Sequence, residues 1–168
     1  MNTKILLVPY DSGHRAERMG RGPLHFEANG LHAALSADGH TLEMETVEAT
    51  APLRTEIATA FELHHLIAGR VSEAVAQGEF PLLLVGNCNH SLGGMVGVGT
   101  QDLGVIWFDA HGDFNTPETT RSGFLDGMAL ATAAGRCWQG MTAQMPNFVP
   151  IEPANVIHIG GRAFDDAE

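Results

Sequence analysis

The sequence predicts an α/β domain built on a mostly parallel sheet. Unbroken apolar runs of strand length occur at Ile5–Val8, Pro81–Gly86, Gly104–Asp109 and Asn155–Gly160, and runs without alternation suit strands covered on both faces, as in parallel sheets. Stretches with helical apolar spacing separate them, and strands alternating with helices imply parallel crossover units. The 168 residues are 44% hydrophobic and 17% charged, which suits one domain with its own core and excludes wholesale disorder.

The elements follow in order. Ile5-Leu6-Leu7-Val8, ended by Pro9, Asp11 and Gly13, reads as a buried strand and a loop. Residues 22–37 read as one helix with Pro23 in its first turn, where the missing N–H costs nothing, and Leu24, Leu31, Ala34 and Leu35 on one face. Residues 40–47 alternate through Leu42, Met44 and Thr46 as a half-exposed strand does. From about Thr55 to Gln77, Ile57, Ala60, Phe61, Leu63, Leu66, Ile67, Val71 and Val75 make one apolar helix face, and Gly78 stops the helix. After the strand at 81–86, a Gly-rich segment over 86–99 leads into a short helix. The strand at 104–109 precedes a loop over 112–124, a small-residue helix over about 126–135, an irregular stretch over 136–153 and the last strand. No repeat, linker or low-complexity tract interrupts the chain.

Charge and composition exclude several functions. Acidic residues outnumber basic ones 20 to 9, for a net charge of −11, which disfavours nucleic acid and anionic membranes as partners. Lys4 is the single lysine, so there is no Walker phosphate loop, and its place in the first apolar run makes Schiff-base catalysis improbable. Cys88 and Cys137 are too few for a disulfide framework or a four-thiolate zinc site. No apolar stretch reaches the about 20 residues of a membrane span, and the start is too short for a secretory signal. A cytoplasmic location is the expectation.

The chemistry concentrates in Trp107-Phe108-Asp109-Ala110-His111-Gly112-Asp113-Phe114-Asn115-Thr116-Pro117. Asp109, His111 and Asp113 stand at i, i+2 and i+4, which in an extended chain share one side. They follow the carboxyl end of a buried strand, where open α/β sheets place ligands. Converging carboxylates need a positive counterpart, and carboxylates with imidazole suit manganese, iron or zinc; the alternative is a solvated acidic loop. Gly86-Asn87-Cys88-Asn89-His90-Ser91-Leu92-Gly93-Gly94 enters a helix at the same end of another strand. There Asn89 is a good helix cap and His90 can reach the same crevice.

These segments resemble the ureohydrolase superfamily, the arginase and agmatinase fold, whose Gly-Gly-Asp-His-Ser and Asp-Ala-His-x-Asp-x-Asn-Thr-Pro segments bind two manganese ions. The second is matched at Asp109, Ala110, His111, Asp113, Asn115, Thr116 and Pro117; Ser122-Gly123-Phe124-Leu125-Asp126-Gly127-Met128 stands where arginases have Ser-Gly-Asn-Leu-His-Gly-Met; Gly20-Arg21-Gly22-Pro23 resembles an early family turn; and Gly160-Gly161-Arg162-Ala163-Phe164-Asp165-Asp166-Ala167-Glu168 resembles the Gly-Leu-Arg-Asp-x-Asp-x-x-Glu segment. The resemblance runs nearly end to end in family order. It implies an arginase-like three-layer α/β sandwich, with residues 1–168 as one domain incomplete at its C-terminus. It implies hydrolysis of a small guanidino or amidino substrate by water that two metal ions activate. His90, Asp109, His111 and Asp113 would be ligands. Asn115 and Ser122 would hold the substrate's carboxylate, with Asp165 and Glu168 near its cationic groups, and Asp126 would move a proton to the leaving amine. A homo-oligomer fits the family.

Four departures qualify this. The family's Asp beside the ligand His is the amide Asn89, and weakening such support typically costs about 10- to 100-fold in affinity or activity. Asp126 replaces a His, so it can carry a proton only with a raised pKa, and Phe124 replaces an Asn that contacts arginine. The family's later Asp-x-Asp metal segment has no counterpart before Glu168. The expectation is therefore one manganese, or two held weakly, in a chain with impaired catalysis. The alternative is a non-catalytic, truncated relative that acts as a metal-binding or oligomer-interaction module.

The remaining candidates read as structural. His64 and His65 are adjacent on the long helix and point apart, which suits packing or surface roles. His25, His32, His40 and His158 lack ligand spacing. Cys88 reads as a small buried thiol beside the site, Cys137 and Trp138 as packing residues, and Asp11 as a residue that can line the crevice. A nucleophile elbow at Asn89-His90-Ser91-Leu92-Gly93 lacks its first glycine and places a histidine badly to serve Ser91.

Overall fold

Ile5, Leu6, Leu7 and Val8 are fully buried because their strand, β1 (Asn2–Val8), is the middle one of three. The computed structural model describes residues 1–52 and 55–168, which divide into two compact units, Met1–Val98 and Gly99–Glu168.

In the first unit, β1 pairs in parallel with β4 (Thr41–Thr46) on one side and β5 (Phe80–Val85) on the other. Its register runs from Asn2 opposite Thr41 to Leu7 opposite Thr46, and from Thr3 opposite Phe80 to Val8 opposite Val85. A small antiparallel hairpin, β2 (Tyr10–Asp11) and β3 (His14–Arg15), follows β1. The helix expected over residues 22–37 is two helices, α1 (Arg21–Ala28) and α2 (Leu31–Ala37). Gly30 at φ +89° separates them, a left-handed conformation that glycine adopts freely and that ends a helix. Helix α3 (Glu56–Ala76) is capped by the Thr55 hydroxyl, which accepts from the Ala58 amide at 3.2 Å. It buries Leu63, Ile67 and Val71 against Leu6, Val8, Tyr10 and Val47, whereas Val75, expected on that face, is exposed.

Helix α4 (Ser91–Val98) packs on α3. A Cβ on Gly93 would lie 2.8 Å from the Ile67 Cβ and the His64 carbonyl oxygen, and one on Gly97 would lie 2.5 Å from the Val71 Cβ. The glycines thus set how closely the helices approach. The chain leaves β1 for β4 and then crosses back to β5 on β1's other side. Such a reversal opens a crevice at the carboxyl ends of the two strands.

In the second unit, β6 (Val105–Phe108) and β7 (Val156–Ile159) pair in parallel, Val105 opposite Val156 through Phe108 opposite Ile159. The sequence predicts burial on both faces, but one face is open. Ile106, Phe108, Ile157 and Ile159 are 62%, 75%, 59% and 44% exposed, respectively, while the alternate residues are half-buried. An unbroken apolar run records that both faces are apolar, not that both are covered. The helix expected over 126–135 is a 3-10 turn, Leu125–Met128, continued by α5 (Ala129–Ala133). The irregular stretch holds the short α6 (Gln139–Thr142) and a 3-10 turn at Pro153–Asn155. Met128, Ala131 and Cys137 form a local core with Phe114 and Trp138 against it. Among the described residues no helix is long and apolar enough to cross a membrane.

Candidate functional site

Two loop systems carry the candidate residues, one in each unit. In the first, β5 runs into a 3-10 turn, Cys88–His90. The asparagines on either side of Cys88 are each tied to another element. Asn87 Oδ1 accepts from the Ser12 amide, just after β2. Asn89 Oδ1 accepts from His64 Nε2 on α3 at 3.2 Å. Cys88 is half-buried. His90 is fully buried, and its ring sits edge-on to His64 with centroids 5.5 Å apart and planes at 74°. Neither His90 ring nitrogen makes a well-formed hydrogen bond, although the Ser12 backbone lies near the ring and works to raise its pKa. Burial, with His64 adding to it, pushes the His90 pKa down to about 3. Burial brings His64 to about 4, with the Asn89 bond working the other way. Both rings are neutral near pH 7, which leaves His90 with a lone pair suited to a cation. Asp11 is fully buried and ion-paired to Arg18 Nε at 2.6 Å.

In the second unit, Asp109 follows β6, its amide donating to the Ile159 carbonyl at 3.1 Å. Its Oδ1 accepts from the His111 amide at 2.9 Å and lies 3.1 Å from His111 Nδ1. Burial works to raise the Asp109 carboxyl, but these His111 bonds outweigh it and hold the pKa below the usual range. His111 itself is exposed, with its carbonyl accepting from His158 Nε2 at 2.6 Å. The extended alternation expected through Asp113 breaks there: Asp113 adopts φ +52° and is buried. Its carbonyl accepts from the Leu130 and Ala131 amides at 2.9 and 3.2 Å, so the start of α5 fixes its backbone.

Three of the expected substrate residues are brought together. Asn115 Nδ2 donates to Asp165 Oδ2 at 3.0 Å, and Asn115 Oδ1 accepts from the Thr119 hydroxyl at 2.9 Å. The Glu168 carboxylate accepts from the Phe114 amide at 3.0 Å and the Asp165 amide at 2.9 Å. A cavity of about 440 Å³, lined by Phe114, Thr116, Thr119, Arg136, Ala167 and Glu168, opens beside them. Ser122 stands apart, exposed, accepting from the Phe124 amide at 3.2 Å. Asp126 is buried in the 3-10 turn before α5. His64 is the residue that sequence reasoning undervalued. Its signal was its position: three residues after Phe61 and three before Ile67 places it on the core face of α3, where a polar side chain needs a partner.

The donors present, imidazoles and carboxylates, suit a manganese, iron or zinc ion, and the unsatisfied nitrogens of His90 fit that role.

The chain is similar to arginases in sequence and in structure. The chain is 30% identical to an arginase of Bacillus subtilis over 98% of its own length and 58% of that protein's, and 33% identical to one of Brevibacillus brevis over 99% and 59%. The Bacillus subtilis arginase crystal structure superposes with a TM-score of 0.89 at 30% identity, over all of this chain and 59% of that one. The Bacillus caldovelox arginase gives 0.84 at 30%, over 98% and 59%. The chain thus spans less than two thirds of the length of the relatives it matches. Its fold is the arginase-like α/β fold with a mostly parallel sheet. The Arginase family model matches residues 2–168, through both units and through every loop described above, and the chain belongs to the arginase family.

Proposed function

We propose that this chain carries the metal-dependent hydrolytic chemistry of the ureohydrolases, directed at a small guanidino or amidino substrate. The observation that supports it most is the paired Asp109 and His111 at the carboxyl end of β6, in a chain of the arginase family. In this reading residues 1–168 form one family domain, and His90, Asp109, His111 and Asp113 would hold manganese, as one ion or as two bound weakly. Bound metal supplies Lewis acidity that lets water ionise near neutral pH.

The chain's own residues do the rest. Asp165 and Glu168 place negative charge beside the cavity where a cationic group would sit, and Asn115 orients Asp165 through its amide. Asn115 and the exposed Ser122 would hold the substrate's carboxylate. Asp126, in its buried turn, would move a proton to the leaving amine if burial raises its pKa. The acidic balance of the chain suits a cationic substrate. We place the protein in the cytoplasm, as a candidate homo-oligomer.

A second reading is a non-catalytic metal-binding or oligomer-interaction module, favoured by the open apolar face of β6 and β7. The test is metal analysis of the purified 168-residue chain after manganese loading, with urea release from arginine and agmatine. One or more bound manganese with urea release supports hydrolysis. Bound metal without product favours the second reading, and no bound metal defeats the first.

A further inference from the structure

The buried polar pair formed by His64 and Asn89 lies outside every role assigned above. Its geometry bears on His90. In the Cys88–His90 turn the His90 amide reaches the Asn87 carbonyl at 3.3 Å, and the Ser91 amide reaches the Cys88 and Asn89 carbonyls. Two side chains before His90 tie the turn to other segments: Asn87 is bound by the Ser12 amide, 75 residues away, and Asn89 by His64, 25 residues away. His64 sits on the buried face of α3. Its neighbours Leu63 and Ile67 are fully buried, Phe61 packs edge-on against its ring at 4.9 Å, and its carbonyl oxygen lies 2.8 Å from where a Cβ on Gly93 would stand. One ring of His64 thus touches both the amide of Asn89 and the imidazole of His90.

We infer that His64 is a positioning residue: by donating to Asn89 and packing edge-on against His90, it holds the His90 imidazole in one orientation for a divalent cation. The metal part of this statement rests on the proposed function. The positioning part does not. The pairing is also chemically matched. A buried amide oxygen takes a hydrogen bond from a neutral imidazole without leaving net charge in the core, whereas a carboxylate at position 89 would bring a charge that burial penalises.

The test uses the full chain, first without metal. His64→Leu keeps the bulk and removes the donor; His64→Gln keeps an N–H donor. The His90 ring resonances are followed by NMR, with amide dispersion to confirm folding, and the affinity for manganese chloride alone is measured by calorimetry. In His64→Leu the His90 resonances move or broaden, and manganese binds roughly 10- to 100-fold more weakly. His64→Gln returns both toward the wild type. Unmoved His90 resonances in folded His64→Leu overturn the positioning role, as does equal disturbance by Leu and Gln, which would mark simple packing. His90→Ala separates the two claims. Wild-type manganese affinity in that variant defeats His90 as a ligand, while the metal-free resonances still decide the case of His64. Should His64→Leu not fold, Asn89→Ala removes the same bond from the acceptor side. Displaced His90 resonances in that variant support the positioning role, and unmoved ones overturn it.

Discussion

Asn115 and Asp165 are 50 residues apart in the chain and 3.0 Å apart in space, joined by the Asn115 amide and the Asp165 carboxylate. That bond ties the loop after β6 to the turn after β7. Glu168 repeats the tie through the Phe114 and Asp165 amides. Removing the acceptor with Asp165→Ala costs about 1 kcal/mol, the net worth of one partly buried hydrogen bond. Hydrogen exchange at Phe114–Thr119 speeds up in the variant while exchange in β1 does not. Urea denaturation and amide exchange check both.

His64 makes stability fall in mild acid. Its folded pKa of about 4 lies below the 6.5 of an unperturbed histidine. The unfolded chain therefore takes up a proton between those values while the folded chain does not, and stability rises with pH across that window. The contribution is complete above about pH 6.5 and is lost as pH falls toward 4, on the order of 3 kcal/mol from this residue. His64→Gln removes that part. The gap between urea midpoints at pH 7.5 and pH 4.5 is smaller in the variant than in the wild type.

Gly97 has no special backbone angle, so its requirement is purely steric. An added methyl lies 2.5 Å from the Val71 Cβ and 2.8 Å from the Ala68 carbonyl oxygen. Both belong to a packed helix that cannot give way locally. Gly97→Ala is destabilising by about 1–3 kcal/mol through overpacking, despite alanine's higher helix propensity. Gly22→Ala, inside α1 with nothing within 4 Å, serves as the control and leaves the denaturation midpoint unchanged or raises it, as alanine's helix propensity dictates.

The open face of β6 and β7 calls for the opposite experiment. Phe108 is 75% exposed, so a polar substitution there loses little packing. Phe108→Lys leaves the urea midpoint within about 0.5 kcal/mol of the wild type. It also lowers binding of an apolar dye and reduces light scattering at high concentration, because exposed apolar patches drive association. A large loss of stability instead would mean that this face is covered in solution.

What was legible in the sequence follows from what a pattern can encode. The runs at Ile5–Val8 and Val156–Ile159 and the apolar stripe of α3 were readable because length and periodicity are local. Cover over β6 and β7 was not, since an apolar run is the same string whether or not another element lies on it. The break between α1 and α2 was written at Gly30, but a glycine inside a helical pattern is often tolerated. Within the candidate site, residue type and order pointed to the motif residues, of which Asn115, Asp165 and Glu168 are linked by hydrogen bonds. Their hydrogen-bond partners, His64 for Asn89 and His158 for the His111 carbonyl, come from distant segments, and no local pattern announces such pairs.

Asp113 shows the limit most sharply, and it permits a separation of ligand from fold. Regular i, i+2, i+4 spacing implied an extended chain, but the backbone turns left-handed at Asp113 with φ +52°. What holds it there is its own carbonyl, bound by the Leu130 and Ala131 amides, a bond any residue can make. A non-glycine residue in that conformation costs about 1–2 kcal/mol. Asp113→Gly removes the strain and the carboxylate together, so stability stays near the wild type while manganese affinity falls at least about 10-fold. Asp113→Ala loses the same carboxylate and keeps the strain, and is less stable than Asp113→Gly by about 1 kcal/mol. Urea midpoints and manganese calorimetry on the two variants decide it. Equal stability of the two would remove the strain argument, and unchanged affinity in both would remove Asp113 from the ligand set.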